Sequence, residues 1–194
     1  MSPKLEELTL EHKDLIAIQH RQLSFQHFFK LKVLTLSNLQ NRSQLFLIGF
    51  LKTLHYVETI VVESGNLEEL FSCEGFTLVK NLKLFTVDNL KQIWDVDSRL
   101  KPVLQHLETL SVNRCNNLTN IVPSSSSFLN LASLEVSSCE GLVNLITVST
   151  AKTMVQLTKM TKVRPYFKHL NSLRSGMVES KGETLPQCTI AYGG

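Results

Sequence analysis

Thiols and imidazoles are the side chains of this sequence whose chemistry is easiest to judge, because metal binding and catalysis need them at set spacings. The cysteines stand at positions 73, 115, 139 and 188, and no two form a CxxC pair. No two of the six histidines are four residues apart. Zinc-site spacing is therefore absent. No catalytic motif joins a histidine to a serine, cysteine or acid.

The sequence also gives no support for a nucleotide-phosphate site or a cation site. The eight glycines never adopt the GxxxxGK[ST] spacing that cradles a nucleotide phosphate. Asp95 and Asp97 stand beside Trp94, but two acids without further oxygen ligands are typical of a turn. Trp94 itself is predicted to anchor the core or a loop. The sequence thus predicts a protein that is not an enzyme and that holds no cofactor and no metal.

The composition of the chain limits the class of protein to which these residues can belong. The chain has 194 residues, of which 43% are hydrophobic and 19% charged, so the chain as a whole is not an acidic or basic disordered segment. Its longest dense apolar run, residues 45–51, is too short to cross a membrane. Acids stand near the N-terminus where a signal peptide would be apolar. We expect a cytoplasmic protein with reduced cysteines and no membrane insertion.

Charge is divided unevenly along the chain. Residues 1–150 hold 13 Lys/Arg and 15 Asp/Glu, whereas residues 151–194 hold 7 and 2. The body is therefore nearly neutral and the end is basic. A balance this mild does not indicate a nucleic-acid partner.

An internal repeat determines the fold prediction. The pattern apolar-x-x-apolar-x-apolar begins at Leu5, Leu31, Val57, Leu82, Leu107 and Leu131, and a seventh start follows at Leu157. The spacings of 26, 26, 25, 25, 24 and 26 residues lie in the range of leucine-rich repeats. Six hits in near-constant phase are not expected by chance.

Each pattern predicts a short strand whose alternate side chains point into a core, followed by a crossing segment that returns one rung along. The fold class is therefore α/β: a leucine-rich-repeat solenoid with a parallel β ladder of six to seven rungs. The convex side is predicted to be irregular with short helices. Ser43 is predicted to cap a helix over residues 44–54, and Thr150 one over residues 151–157.

Cys115 and Cys139 occupy equivalent places, three residues after Val112 and Val136. This is the Asn/Cys position of a leucine-rich repeat, where a small side chain turns inward toward backbone groups. Stacked rungs bring the two thiols within several ångströms. A redox bridge is one interpretation, and a structural ladder of reduced thiols is the favoured one.

The outward strand positions form the candidate partner-binding face, because the concave face of such a solenoid is its usual contact surface. The predicted residues are Glu7, Thr9, Glu11, Thr35, Ser37, Glu63, Thr86, Asp88, Ser111, Asn113, Glu135 and Ser137. In this phase the face carries five acids and no Lys or Arg. The charge favours a basic or neutral polar partner.

The stretch from Leu107 to Leu157 contains two LxxLxVxxC units, a serine-rich loop and STAKTMVQL. It resembles the C-terminal leucine-rich repeats of plant nucleotide-binding disease-resistance proteins, particularly the coiled-coil class. Looser resemblance extends over residues 1–160, which are predicted to form the repeat domain. Residues 161–194 depart from the pattern and are predicted to be an irregular, poorly ordered basic tail.

The resemblance implies a protein-recognition sensor module of an intracellular plant immune receptor, acting in the defence response. Its partner would be a pathogen effector or a host protein. Since the phosphate loop is missing, the chain is expected to be a fragment without the nucleotide-binding core. Two alternatives remain: an adaptor of another kind, such as one that recruits substrates to a ubiquitin ligase, or a non-functional truncated gene product.

Overall fold

The strands of the main sheet follow the chain in order and all pair in parallel. The computed structural model describes residues 5–21, 28–41, 44–71, 78–94, 101–121, 127–143, 145–146, 148–163 and 189–190. Seven rungs are formed by β1 (Glu7–Glu11), β2 (Val33–Leu39), β3 (Thr59–Asn66), β5 (Asn81–Asp88), β7 (Thr109–Asn113), β8 (Ser133–Ser137) and β9 (Lys159–Val163). The predicted α/β solenoid with a parallel ladder is confirmed.

Strand register shows which side chains point inward. Leu8, Leu34, Ile60, Leu82, Leu110, Leu134 and Met160 form one continuous row of backbone partners. A second inward row runs through Leu10, Leu36, Val62, Leu84, Val112 and Val136. Every member of the second row is buried. No rung can bury these side chains alone, so the fold is stabilised by stacking.

The fourth rung corrects the predicted phase. Leu82 pairs with Ile60 and Leu84 with Val62, so this rung begins at Val79 and not at Leu82. Val79, Leu82 and Leu84 are all buried, at 1%, 0% and 0% exposure. The shift of three residues turns Lys83 and Phe85 outward. Leu84, which a pattern starting at Leu82 would turn outward, lies in the core.

The crossing segments carry four short helices among the described residues: α1 (His12–Arg21), α2 (Gln44–Lys52), α3 (Lys101–His106) and α4 (Val148–Ala151). The helix predicted over residues 44–54 is present, although Ser43 lies outside the described residues. The helix predicted to start after Thr150 is wrong. Thr150 lies inside α4, and its carbonyl accepts hydrogen bonds from the Thr153 amide and hydroxyl, which form a turn.

A second, two-stranded parallel sheet lies on the crossing side. It pairs β4 (Glu69–Phe71) with β6 (Gln92–Trp94). Trp94 is buried, and its indole Nε1 donates a 2.7 Å hydrogen bond to the Ile121 carbonyl on the next rung. The predicted anchoring role of Trp94 is confirmed. Asp95 and Asp97 lie outside the described residues.

Five rungs carry a residue in the left-handed region, which lies inside β2, β3 and β5 and directly after β7 and β8. These residues are Asn38, Ser64, Thr86, Arg114 and Ser138, with φ between 51° and 61°. Each directly follows the last outward residue of its rung. Asparagine tolerates this backbone better than most residues, whereas β-branched threonine is strained there. Stacking of the rungs therefore forces Thr86 into a backbone conformation that its own side chain disfavours.

The ladder extends past the predicted domain division. Residues 160 and 161 both lie inside β9, and β10 (Thr189–Ile190) pairs in parallel with Thr161 and Lys162. The rest of the stretch from 164 to 194 is outside the described residues, so the division at residue 160 stays a prediction. Within the described ranges, no helix is both long and apolar enough to cross a membrane.

Candidate partner-binding surface

The outward side chains of the seven rungs form three columns, which together are called the strand face below. The central column is Thr9, Thr35, Val61, Lys83, Ser111, Glu135 and Thr161. The column before it is Glu7, Val33, Thr59, Asn81, Thr109, Ser133 and Lys159. The column after it runs Glu11, Ser37, Glu63, Phe85, Asn113 and Ser137.

Ten of the twelve predicted face residues lie in these columns. The exceptions are Thr86 and Asp88, which the shifted phase of the fourth rung moves off the columns. Thr86 is exposed at the left-handed corner, and Asp88 is the backbone partner of Asn66 at the far end of the strand. Both were predicted from a pattern starting at Leu82. Constant spacing favoured that start over Val79.

The residues that the sequence reasoning missed change the chemistry of the face. Lys83 and Phe85 occupy the columns at the fourth rung, and Lys159 does so at the seventh. The prediction of an acidic face without Lys or Arg is therefore wrong. The signal was present in Val79, Leu82 and Leu84, which satisfy the repeat pattern equally well.

Two of the predicted acids have a basic neighbour. The Glu11 carboxylate forms a 2.9 Å ion pair with Lys13 Nζ, and the Glu135 carboxylate pairs with Lys159 Nζ. The hydrogen bond to Glu11 raises the pKa of Lys13, with the Glu11 and Asp14 charges adding to the effect. Glu7 and Glu63 form no ion pair with any described residue. The strand face therefore carries both negative and positive side chains.

An apolar diagonal crosses the middle of the strand face. Val33, Val61 and Phe85 lie on consecutive rungs, each one column further than the last. All three are half-buried. Phe85 is flanked in register by Glu63 and Asn113. Aromatic residues are enriched at the centres of protein interfaces, and polar residues form the rim around them.

Hydroxyl and amide side chains surround the diagonal and are linked from rung to rung. The Asn81 Nδ2 group donates to Thr59 Oγ1 at 3.1 Å, and the Asn113 Nδ2 group donates to Ser137 Oγ. Such links fix side-chain rotamers before a partner arrives, which lowers the ordering cost of binding. This arrangement can hold a polypeptide by hydrogen bonds around a small apolar contact.

The two described thiols lie off this face. Cys115 and Cys139 are free and buried, and their Sγ atoms donate to the carbonyls of Asn113 (3.6 Å) and Ser137 (3.2 Å). Both therefore turn inward to backbone groups at the corner, as predicted. The hydrogen bond with Cys139, and burial after it, raise the pKa of the Cys115 thiol. A protonated, buried thiol is a poor nucleophile.

Across the described ranges, no three His, Cys, Asp or Glu side chains gather in a way that could hold an ion.

Comparison with known families identifies this architecture. The family model described as "Plant disease resistance protein RPS2-like, leucine-rich repeats" matches residues 4–127, which is more than half of the chain. The chain belongs to this family. The match spans the first five rungs of the RPS2-like repeat ladder, including the irregular fourth. No curated protein and no solved structure matches the chain.

Proposed function

We propose that this RPS2-like repeat region is a protein-recognition module, the sensor part of an intracellular plant immune receptor. Its partner is a pathogen effector or a host protein, and the strand face is where that partner binds. The proposal includes action in the cytoplasm, no catalysis of its own and no nucleic-acid partner.

The observation that carries the proposal is the apolar diagonal with its polar surroundings. Val33, Val61 and Phe85 place apolar surface outward on three consecutive rungs, although the core side of each rung is already filled. Adjoining apolar side chains on three rungs form a patch, whereas a single outward apolar side chain does not. Buried aromatic anchors ringed by polar contacts carry most of the energy in protein interfaces.

Charge refines the expected partner. Lys83 lies beside Val61 in the central column, and Glu63 lies beside Phe85. A partner surface that fits presents an apolar side chain between an acid and a base. This replaces the basic or neutral polar partner that the sequence phase favoured.

The test is a pair of matched double variants. Glu63→Lys with Phe85→Ser alters the strand face, and Glu140→Lys with Val143→Ser makes the same chemical changes at exposed residues elsewhere. A partner is first captured from plant extract with the unaltered chain and then purified. We expect the strand-face variant to weaken binding at least ten-fold, because a truncated anchor typically costs 2 kcal/mol or more.

The control variant should bind as the unaltered chain does. Circular dichroism and thermal unfolding of both variants must first match the parent, because Phe85 is half-buried and its replacement removes packed apolar surface. Equal binding by a folded strand-face variant would contradict the proposal. Equal loss by both variants would place the contact elsewhere.

A further inference from the structure

A row of alternating charge runs along the edge where the chain enters each strand. It consists of Glu6, Lys32, Glu58, Lys80 and Glu108, each directly before the first strand residue of rungs one to five, and is called the edge row. The backbone carbonyl of each edge-row residue in rungs one to four accepts hydrogen bonds from two amides of the next rung. For example, the Glu58 carbonyl accepts from Lys80 (2.8 Å) and Asn81 (3.0 Å). The backbone therefore holds the row at the ladder spacing of about 4.8 Å.

The charges of the edge row remain accessible. Lys32 pairs with Glu6 at 3.4 Å and Lys80 with Glu58 at 3.3 Å, yet these four side chains are 41–57% exposed. Pairs this exposed contribute little to stability, about 0–1 kcal/mol each. Each group therefore has free surface for a second opposite charge.

Exposed apolar side chains accompany the same edge. Six large hydrophobic residues are exposed among the described residues, and five of them stand three or four positions before the first residue of a strand. They are Phe29, Tyr56, Leu78, Leu129 and Val155, at 40–58% exposure. Single exposed hydrophobic residues need no explanation, but a recurrent phase on five rungs is a surface feature.

We infer that this edge binds the same edge of a second copy of the chain, in antiparallel orientation about a two-fold axis. A row of alternating sign is complementary to its own reverse when the two-fold axis lies between two rungs. With the axis between the third and fourth rungs, Lys32 faces Glu108 of the second copy, and Glu58 faces Lys80. Symmetry repeats both pairs, which gives four intermolecular ion pairs.

The apolar residues fit this axis as well. Tyr56 stands before the third rung and Leu78 before the fourth, so each meets the other across the axis. Six rungs overlap in this register, over roughly 29 Å of ladder. Two-fold interfaces are the commonest in soluble oligomers because one patch serves both subunits.

The alternation favours a second copy over an unrelated partner. Three glutamates and two lysines give the edge row almost no net charge, so it attracts neither acidic nor basic surfaces over distance. The edge row is complementary to a row of charges that has the same spacing and the opposite sign at each position. A second copy supplies that spacing because its rungs have the same hydrogen-bonded ladder.

Sedimentation velocity of the full 194-residue chain tests the inference. At tens of micromolar and low salt, we expect a species of twice the 21.9 kDa chain mass, and higher salt should weaken it. Lys32→Glu with Lys80→Glu makes the row uniformly acidic and should raise the dimer Kd roughly ten-fold or more. Tyr56→Ser with Leu78→Ser should also raise it, whereas Val143→Ser should not.

A variant in which all five charges of the edge row are reversed, called the exchanged row, distinguishes loss of the charge pattern from damage to the fold. Glu6→Lys, Lys32→Glu, Glu58→Lys, Lys80→Glu and Glu108→Lys together reverse every sign and preserve the alternation. This variant should dimerise with nearly the parent Kd. A parent that stays monomeric up to about a hundred micromolar would overturn the inference, as would an acidic-row variant that dimerises as tightly as the parent. An exchanged row that is folded but monomeric would overturn it too.

Discussion

Among the glycines that the structure describes, Gly141 is the one where an added methyl group should be most damaging. Its amide donates a 2.8 Å hydrogen bond to the Asn116 carbonyl on the preceding rung. A Cβ at this position would stand 2.2 Å from that same oxygen, whereas ordinary contact begins near 3.4 Å. The obstacle is backbone, so it cannot rotate away. The two rungs must separate by about 1 Å, and the hydrogen bond is lost.

The cost follows from these two effects. Overpacking of this kind costs about 1–3 kcal/mol, and the lost hydrogen bond about 1 kcal/mol more. Gly141→Ala should therefore lower the free energy of unfolding by about 2–4 kcal/mol. For a chain of this size the Tm should fall by on the order of 10 °C.

Gly49 provides the matched control. It lies exposed in α2, and a Cβ there meets nothing within 4 Å. Gly49→Ala should raise stability by about 0.5–1 kcal/mol, because alanine loses less backbone entropy in a helix. Urea and thermal unfolding followed by far-UV circular dichroism measure both variants. If Gly141→Ala unfolds within a degree of the parent, the close approach between these rungs is not as described.

The remaining predictions concern a corner, the core and the second sheet. Thr86→Asn should raise the free energy of unfolding by about 1 kcal/mol, since asparagine tolerates φ of 54° better than a β-branched residue; a stability loss in urea would refute this. Leu134→Asp should unfold the neighbouring rungs by burying an unpaired charge at a residue 1% exposed, while Ser133→Asp, one position away on the outward side, should melt near the parent temperature. Trp94→Phe should cost about 1–3 kcal/mol in chemical denaturation, because the buried Ile121 carbonyl loses its donor; parent-like stability would mean that this hydrogen bond contributes nothing.

The repeat ladder could be predicted from the sequence because its signal is redundant. Each rung repeats the same inward residues, so an error at one rung leaves the others in place. At the fourth rung, Leu82 belongs to two overlapping patterns, one starting at Val79 and one at Leu82 itself. The chain there advances only 22 residues between paired positions, as between Thr59 and Asn81. An assumption of even spacing selects the wrong pattern.

The candidate surface depended on that single choice. A shift of the register by three residues exchanges inward for outward side chains. The predicted face therefore omitted Lys83 and Phe85 and contained Thr86 and Asp88. The small sheet of β4 and β6 was missed for a different reason. Strands of three residues carry too few side chains to show a period. Ion pairs such as Glu135 with Lys159 join separate rungs and depend on rotamers that no local pattern encodes.

The unequal length of the crossing segments has a genetic consequence. Paired positions are 22 residues apart at the fourth rung and up to 28 apart beyond it, yet the strands keep one register. Each rung presents the same backbone edge to the next, whatever the length of its crossing segment. Loss of residues 110–133 would join Thr109 to Leu134 and leave the inward pattern intact. Unequal recombination between repeats could therefore shorten or lengthen this protein by whole rungs while its remaining rungs still fold.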